Sequence, residues 1–294
     1  MTIGTSDVSA ALAEAWAWVA ADLEPHHAGM NSRTWLVDGE AGRFVAKVVP
    51  PEQHDRFVAG LAVAGLVESS GLPAGRPVAT RDGRSWVRIG GHTLALLAFV
   101  EGHPLVGDEA DERRLIGSTL ARAHRALAGR EVPGATHFHW IDPAAAHLDV
   151  EDWVRPAILD ALADWGQLPP ESLTWGLLHT DPAPEAFLVD PDSETCGLID
   201  WDTGLVGPLM YDVASAVMYL GGPYRSMAFL EAYIGERVLD RVEVERTLEP
   251  MLRLRWAVQA DYFARRIAAD DLTGITSPDE NLAGLEDARR GLAR

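Results

Sequence analysis

Two short apolar runs near the amino terminus, Thr34-Trp-Leu-Val-Asp38 and Phe44-Val-Ala-Lys-Val-Val49, flank Gly39-Glu-Ala-Gly-Arg43. Such runs around a glycine-bearing polar stretch predict a β-hairpin, here with a five-residue loop. Pro50-Pro51 stops the second strand. From about residue 52 to residue 70 the apolar positions change to helical spacing, and Gly71-Leu-Pro73 closes that segment. Residues 85–89 and 93–100 predict two more strands around Gly90-Gly91, and Glu101-Gly-His-Pro104 then breaks the pattern.

We place a domain boundary at that break, with residues 1–100 strand-rich and residues 101–294 mostly helical. Residues 109–127 carry Leu115, Ile116, Leu120, Ala123 and Leu127 at helical spacing, and residues 209–220, 227–234 and 242–269 predict further helices. Short β segments at 176–179, 187–189 and 197–199 lie among them. Ahead of the hairpin, residues 8–21 are apolar but contain Glu14 and lack a basic leader, which predicts an amphipathic helix and not a signal peptide. Strands followed by helices predict an α+β fold of two lobes.

Composition narrows the function. A net charge of −19 argues against a nucleic-acid or anionic-membrane partner and favours a cationic ligand, or serves solubility. No run is long enough for a membrane-spanning helix. One cysteine, Cys196, excludes an intramolecular disulfide and fits a reducing cytoplasm. There is also one lysine, Lys47, against 24 arginines. An ammonium is a compact point charge where a guanidinium is a planar fork. Two readings stand: a lysine projecting into solvent, or a charge reserved for phosphate.

Two aspartates follow strands nineteen positions apart: Asp181 after Leu177-Leu-His-Thr180, and Asp200 after Gly197-Leu-Ile199. The intervening strand and acidic turn predict that both carboxylates reach one edge of one small sheet. One carboxylate would there position an attacking hydroxyl while the other holds magnesium on a nucleotide. An aspartate after a strand is also an ordinary turn residue or helix cap.

His179-Thr-Asp-Pro-Ala-Pro-Glu-Ala-Phe-Leu-Val189, followed by Leu198-Ile-Asp-Trp201, resembles the two signature segments of the aminoglycoside phosphotransferase and choline kinase superfamily. That pattern runs His-Gly-Asp, four spacer residues, Asn, then Ile-Asp-Trp, and Pro208-Leu-Met-Tyr-Asp212-Val-Ala continues the similarity. The resemblance covers roughly residues 25–225. It implies a protein-kinase-like fold, with ATP and Mg2+ as cofactors and a small-molecule hydroxyl as acceptor. Asp181 is then the catalytic base, Asp200 the metal ligand and Lys47 the phosphate-binding lysine. Ala98 and Val100 offer backbone hydrogen bonds to adenine, and Gly29-Met-Asn-Ser32 covers the phosphates.

Three positions depart from the pattern. Thr180 replaces the glycine after the histidine. Ala186 replaces the metal-binding asparagine, with Glu185 as a neighbouring carboxylate that can substitute. Gly60 stands where a glutamate would pair with the lysine, and Asp55, Glu52 or Glu68 are its candidate replacements. His179 is expected to bond backbone near the loop. Asp212 is expected to buttress that loop and cap its helix, and Asp202 to be a turn residue or a second metal or substrate contact. On the helix near 256–266, Gln259, Asp261, Arg265, Tyr262 and Arg266 are candidate substrate contacts, although an Asp261–Arg265 surface pair explains two of them. His124, His137, His139 and His147 match no zinc spacing.

Together these residues predict ATP- and magnesium-dependent phosphorylation of a small-molecule hydroxyl, with an aminoglycoside, aminosugar or choline-like acceptor suiting the acidic charge. The alternatives are a degraded kinase-like nucleotide binder acting through partners, supported by Ala186 and Gly60, and a metal-dependent hydrolase.

Overall fold

The computed structural model describes residues 3–18, 22–26, 32–39, 42–138, 141–192 and 195–293. Helix α1 (Thr5–Trp16) precedes strands β1 (Asp22–His26), β2 (Arg33–Gly39) and β3 (Gly42–Val49). A single 3-10 turn at Pro51–Gln53 opens helix α2 (His54–Ser69), and β4 (Val87–Ile89), β5 (His92–Ala98) and β6 (His103–Pro104) follow. Then come α3 (Ala110–Leu127), β7 (Thr136–His137), α4 (Val154–Trp165), β8 (Trp175–Leu178), β9 (Phe187–Asp190), β10 (Thr195–Leu198) and β11 (Leu205–Pro208). Helices α5 (Met210–Tyr219), α6 (Met227–Gly235), α7 (Arg241–Ala268) and α8 (Pro278–Leu292) complete the described elements. Among the described residues, no helix is long and apolar enough to cross a membrane.

The chain divides into two compact units. The first comprises Met1–Leu105, Ala126–Thr136 and Glu185–Leu205; the second comprises Val106–Arg125, His137–Pro184 and Val206–Arg294.

In the first unit an antiparallel sheet runs β1-β2-β3-β5-β4. The hairpin pairs as far as Gly39↔Gly42, so the strands extend further than the five-residue loop predicted; residues 40–41 lie outside the described residues. Side chains alternate between the two faces of a strand. Ala46 and Val48 of β3 and Leu94 and Leu96 of β5 join Val8 and Leu12 of α1 in one core. Val49 and Ala95 pack on the other face with Phe57 and Leu61 of α2. Lys47 is in register with Ala95 and therefore shares the α2 face. A second sheet, β10-β9-β6, completes the unit, with Leu198 N–H donating to Pro73 O at 2.9 Å.

Helix α2 lies directly against residues 201–203. A Cβ on Gly60 would stand 2.1 Å from the carbonyl oxygen of Trp201 and 2.9 Å from the nitrogen of Thr203. Glycine ordinarily weakens a helix interior. Here it sets how closely the helix can approach the backbone that carries Asp200 and Asp202.

The second unit is built on α7, whose alanines at 257, 260 and 264 repeat at helical spacing and let α4 and α8 close on it with Ile158, Leu285 and Ala288. Helix α5 is buried from Met210 to Met218. A three-stranded sheet runs β7-β11-β8. The strand before Asp181 (β8) and the strand before Asp200 (β10) thus belong to different sheets, contrary to the single sheet expected. The strand at 175–178 pairs with 205–208, a partner that lies downstream of both signature segments.

Gly60→Ala should destabilise the protein by about 1–3 kcal/mol through overpacking, whereas Gly65→Ala in the same helix, with open space around its Cβ, should stabilise it by roughly 0.5–1 kcal/mol. Denaturant unfolding of the two variants checks the opposite signs; a Gly60→Ala protein as stable as Gly65→Ala would contradict the docking described.

Candidate functional site

Lys47 is 4% exposed, which excludes the solvent-facing reading of the lone lysine. Its Nζ donates to Asp202 Oδ1 at 2.5 Å and to Asp200 Oδ1 at 3.3 Å. Burial acts to discharge the ammonium, and the carboxylates of Asp202 and then Asp200 more than reverse this, so its pKa is raised and the charge held. The two carboxylates themselves stay accessible, with side chains 62% exposed at Asp200 and 40% at Asp202.

Local structure explains this placement. After β10 the indole of Trp201 is buried and donates from Nε1 to Leu198 O at 2.7 Å, which pins the turn. Asp200 takes a left-handed φ of +68°, and Asp202 N–H donates to Asp200 O at 2.9 Å. Asp and Asn tolerate that conformation better than other non-glycine residues. The turn leaves two acids on either side of a buried tryptophan. Ile199 N–H donates to Ala186 O at 2.9 Å, so the asparagine position of the resemblance lies beside the turn through its backbone, but carries only a buried methyl. Glu185 is exposed on the 3-10 turn Pro184–Ala186.

The partner of Lys47 corrects one expectation. None of Asp55, Glu52 or Glu68 bonds to it; Glu68 accepts from the backbone N–H groups of Ala74 at 3.2 Å and Arg76 at 2.9 Å and pairs with the Arg76 side chain. With no room for a side chain at Gly60, the shortest contact passes to Asp202, which is more than a turn residue. The N–H of Ala98 donates to Arg76 O at 2.9 Å, so the backbone group it can offer to adenine is its carbonyl. The backbone of Val100 makes no hydrogen bond among the described residues. Ser32 is half-buried just ahead of β2, while Gly29, Met30 and Asn31 lie outside the described residues.

In the second unit, Asp212 is fully buried and its carboxylate is shared among three donors. His179 N–H reaches Oδ2 at 2.6 Å, Thr180 N–H reaches Oδ1 at 2.8 Å, and His124 Nε2–H reaches Oδ2 at 3.0 Å. Because a carboxylate only accepts, Nε2 carries a proton, and Nδ1 is hydrogen-bonded with the Tyr233 hydroxyl at 2.7 Å. Asp212 thus buttresses the loop as expected. It does not cap α5, where no side-chain cap bond forms, because its oxygens are committed to the loop. His179 is buried and accepts from Asp181 N–H at 3.3 Å, a structural role as expected. Thr180, in the glycine position, has φ +80°. A β-branched residue there costs on the order of 1–2 kcal/mol, which its charge-assisted bond to Asp212 offsets at about 1.5–3 kcal/mol.

Asp181 itself presents a side chain 63% exposed. Its Oδ1 accepts from Arg255 Nη2 at 3.1 Å and from the Tyr219 hydroxyl. Arg255 is 7% exposed, and also donates from Nε to Ser215 Oγ at 3.1 Å and from Nη2 to Tyr219 Oη at 2.9 Å. The expectations above missed Arg255 and Tyr219. A signal existed: Arg255 follows the buried Met251 by four residues, which puts a charge on the apolar face of its helix.

The other α7 candidates have structural partners. Gln259 Nε2 donates to Gly284 O at 3.2 Å. Asp261 accepts from His147 Nε2 at 2.7 Å and not from Arg265, which is exposed and lies over the Tyr262 ring. Arg266 is buried against Asn281, Asp271 and Thr273. These groups tie α7 to its neighbours, with Asp261 buried and bonded to His147 and Gln259 half-buried. His124 and His147 are accounted for above, His137 is exposed, and His139 lies outside the described residues. Among the described residues no three His, Cys, Asp or Glu side chains form a metal cluster. Magnesium needs less: one or two carboxylates plus phosphate oxygens suffice. The exposed carboxylate of Asp200 fits that requirement.

Residues 22–245 match the model of the Phosphotransferase enzyme family. The chain belongs to that family. Among curated relatives, homoserine kinase of Rhizobium rhizogenes (strain K84) is 30% identical over 190 residues, which are 60% of this chain and 59% of that protein. The chain therefore spans under two thirds of that relative's length. Two solved structures share the fold. An amicoumacin kinase in complex with AMP-PNP, Ca2+ and Ami has a TM-score of 0.76 at 15% identity, covering 99% of this chain and 93% of its own. Choline kinase LicA from Streptococcus pneumoniae has a TM-score of 0.73 at 14% identity, covering 98% of each chain. The α+β, protein-kinase-like fold and the superfamily resemblance are both borne out.

Asp212→Ala removes a buried carboxylate and strands three donors, so it should cost this phosphotransferase-family protein about 3–5 kcal/mol. Calorimetric unfolding checks this; a loss within about 0.5 kcal/mol, ordinary for an unremarkable surface change, would contradict the buttress.

Proposed function

We propose that this protein is a magnesium-dependent kinase that transfers the γ-phosphoryl group of ATP to a hydroxyl of a small molecule. The observation that carries the reading is the buried ammonium of Lys47, held charged beside the accessible carboxylates of Asp200 and Asp202. A desolvated cation next to exposed acids is what a polyphosphate and its counter-ion require together. In the proposed division of labour, residues 1–100 bind the nucleotide and residues 101–294 supply the catalytic loop and the acceptor site.

Lys47 contacts the nucleotide phosphates, and Val100 offers its backbone to the base. Asp200 would hold Mg2+, whose charge neutralises the phosphate oxygens when bound. Asp181 accepts the proton of the acceptor hydroxyl as its oxygen bonds to the γ-phosphorus, and the bond from that phosphorus to the β-γ bridging oxygen breaks to release ADP. Little covalent work is asked of the protein, so positioning and charge carry the rate. Ser32 and Glu185 remain candidates for the phosphate and metal sites. For the acceptor, an aminoglycoside, aminosugar or choline-like compound suits the acidic charge, and the homoserine kinases add a hydroxylated amino acid. Ala186 in the asparagine position favours a second reading, a nucleotide binder that has lost transfer.

Midpoint shifts on heating with ATP, with and without Mg2+, test both readings at once. Nucleotide at about one hundred times its Kd contributes roughly 2.7 kcal/mol, a rise of about 2–5 °C. The kinase reading predicts a magnesium-dependent shift in wild type and in Asp181→Asn alike, with turnover reduced at least ~1,000-fold in the variant. A magnesium-independent shift without turnover favours the degraded binder, and a fully active Asp181→Asn enzyme contradicts the assignment of the base.

A further inference from the structure

Arg255 has more hydrogen-bonding capacity than its neighbours use. A guanidinium carries five N–H donors. Nε is spent on Ser215 and Nη2 on Asp181 and Tyr219, while Nη1 donates to no described residue. Yet the side chain is more than nine-tenths buried, and Nη1 is not among the fully enclosed polar atoms. A desolvated cation therefore keeps one two-donor end uncommitted to any described residue beside the proposed base.

The rest of the cluster holds that end rigid. Ser215 lies on the buried stretch of α5, and the Tyr219 ring stands 5.5 Å from the guanidinium carbon. Burial opposes the Arg255 charge, and Tyr219, Tyr211 and Asp181 more than compensate, so the cation is firmly held. Holding Asp181 alone needs only one N–H, and a lysine would supply it. The unspent amine is left unexplained by that role.

The geometry points to Arg255 as the residue that recognises an anionic group, a carboxylate, on the acceptor. This rests on the phosphotransferase reading above. Nη2 donates to Asp181 Oδ1 at 3.1 Å and charge-assisted N–H···O bonds run at about 2.7–2.9 Å, so an oxygen on Nη1 of the same guanidinium lies within about 8 Å of that carboxylate oxygen. A chain of three or four carbons covers that span. The acceptor class that follows is a short hydroxy acid or hydroxylated amino acid. An acceptor without an anionic group would leave that end of the guanidinium unpaired. The overall acidity of the chain does not contradict this, because recognition is set by the local cation and not by the net charge.

The test compares L-homoserine with 3-aminopropan-1-ol, the same amino alcohol without its carboxylate, as acceptors with Mg-ATP. Wild type should favour homoserine in kcat/KM by at least ~30-fold, the loss expected when a buried charge partner goes unpaired. Arg255→Met should bring that ratio to about 1. Any disturbance of Asp181 lowers both acceptors together and cancels from the ratio. Arg255→Lys, which keeps the charge without the fork, should give an intermediate ratio and serves if the methionine variant does not fold. A wild-type preference for 3-aminopropan-1-ol, or a ratio unchanged by either substitution, overturns the proposal. Transfer to no hydroxylated acceptor at all overturns the kinase reading itself, a result distinguishable from loss of the ratio alone.

Discussion

A single ammonium buried on a β-strand constrains the whole first unit. Taking Lys47 out of water without partners would cost several kcal/mol or discharge it. The fold meets that cost with two carboxylates from the turn after β10, and everything nearby follows from delivering them. The turn must reverse tightly, hence the left-handed Asp200 and the buried Trp201 that anchors it. Helix α2 must lie against the same backbone, hence Gly60. The glutamate absent from α2 is therefore no simple loss. The helix backbone occupies the space a side chain would fill, and Asp202, from the turn packed against it, supplies the charge.

The second unit solves a related problem with the sign reversed. Asp212 is a buried anion satisfied by two backbone N–H groups and an imidazole, and those two amides belong to the residues just before Asp181. It fixes the loop tightly enough to hold a threonine at positive φ. Each signature segment is thus positioned by a buried charge of its own unit, while the residues proposed to do chemistry, Asp181 and Asp200, keep accessible carboxylates. In each unit the buried charge is the rigid partner and the carboxylate beside it is the accessible one.

Local patterns in the sequence carried the local structure well. The hairpin, α2, α3, α6 and α7 follow from the spacing of their apolar residues, and α5 from a continuous apolar run that is buried all round. Helix α8 was missed although Ser277, Pro278 and Glu280 form a legible capping box. What depends on distant partners was not legible. Asp261 has an arginine four residues on, yet bonds to His147, more than a hundred residues away, since a surface spacing rule says nothing about what packs on a buried helix. The separation of β8 from β10 into two sheets depends on β11, a short strand with little alternation of its own. Lys47 was singled out by its rarity, but its partners lie 153 and 155 residues away. Arg255 was passed over because an arginine in a helix reads as surface until its burial is known.

The central claim is that Lys47 and Asp202 act as one unit in holding the nucleotide. A double-mutant cycle of Lys47→Met and Asp202→Asn, read in Mg-ATP affinity by titration calorimetry, tests it most directly. The account predicts a coupling energy above about 1 kcal/mol, with Asp202→Asn weakening binding only while Lys47 is present. Equal losses in both backgrounds would mean the two residues act independently and would contradict it.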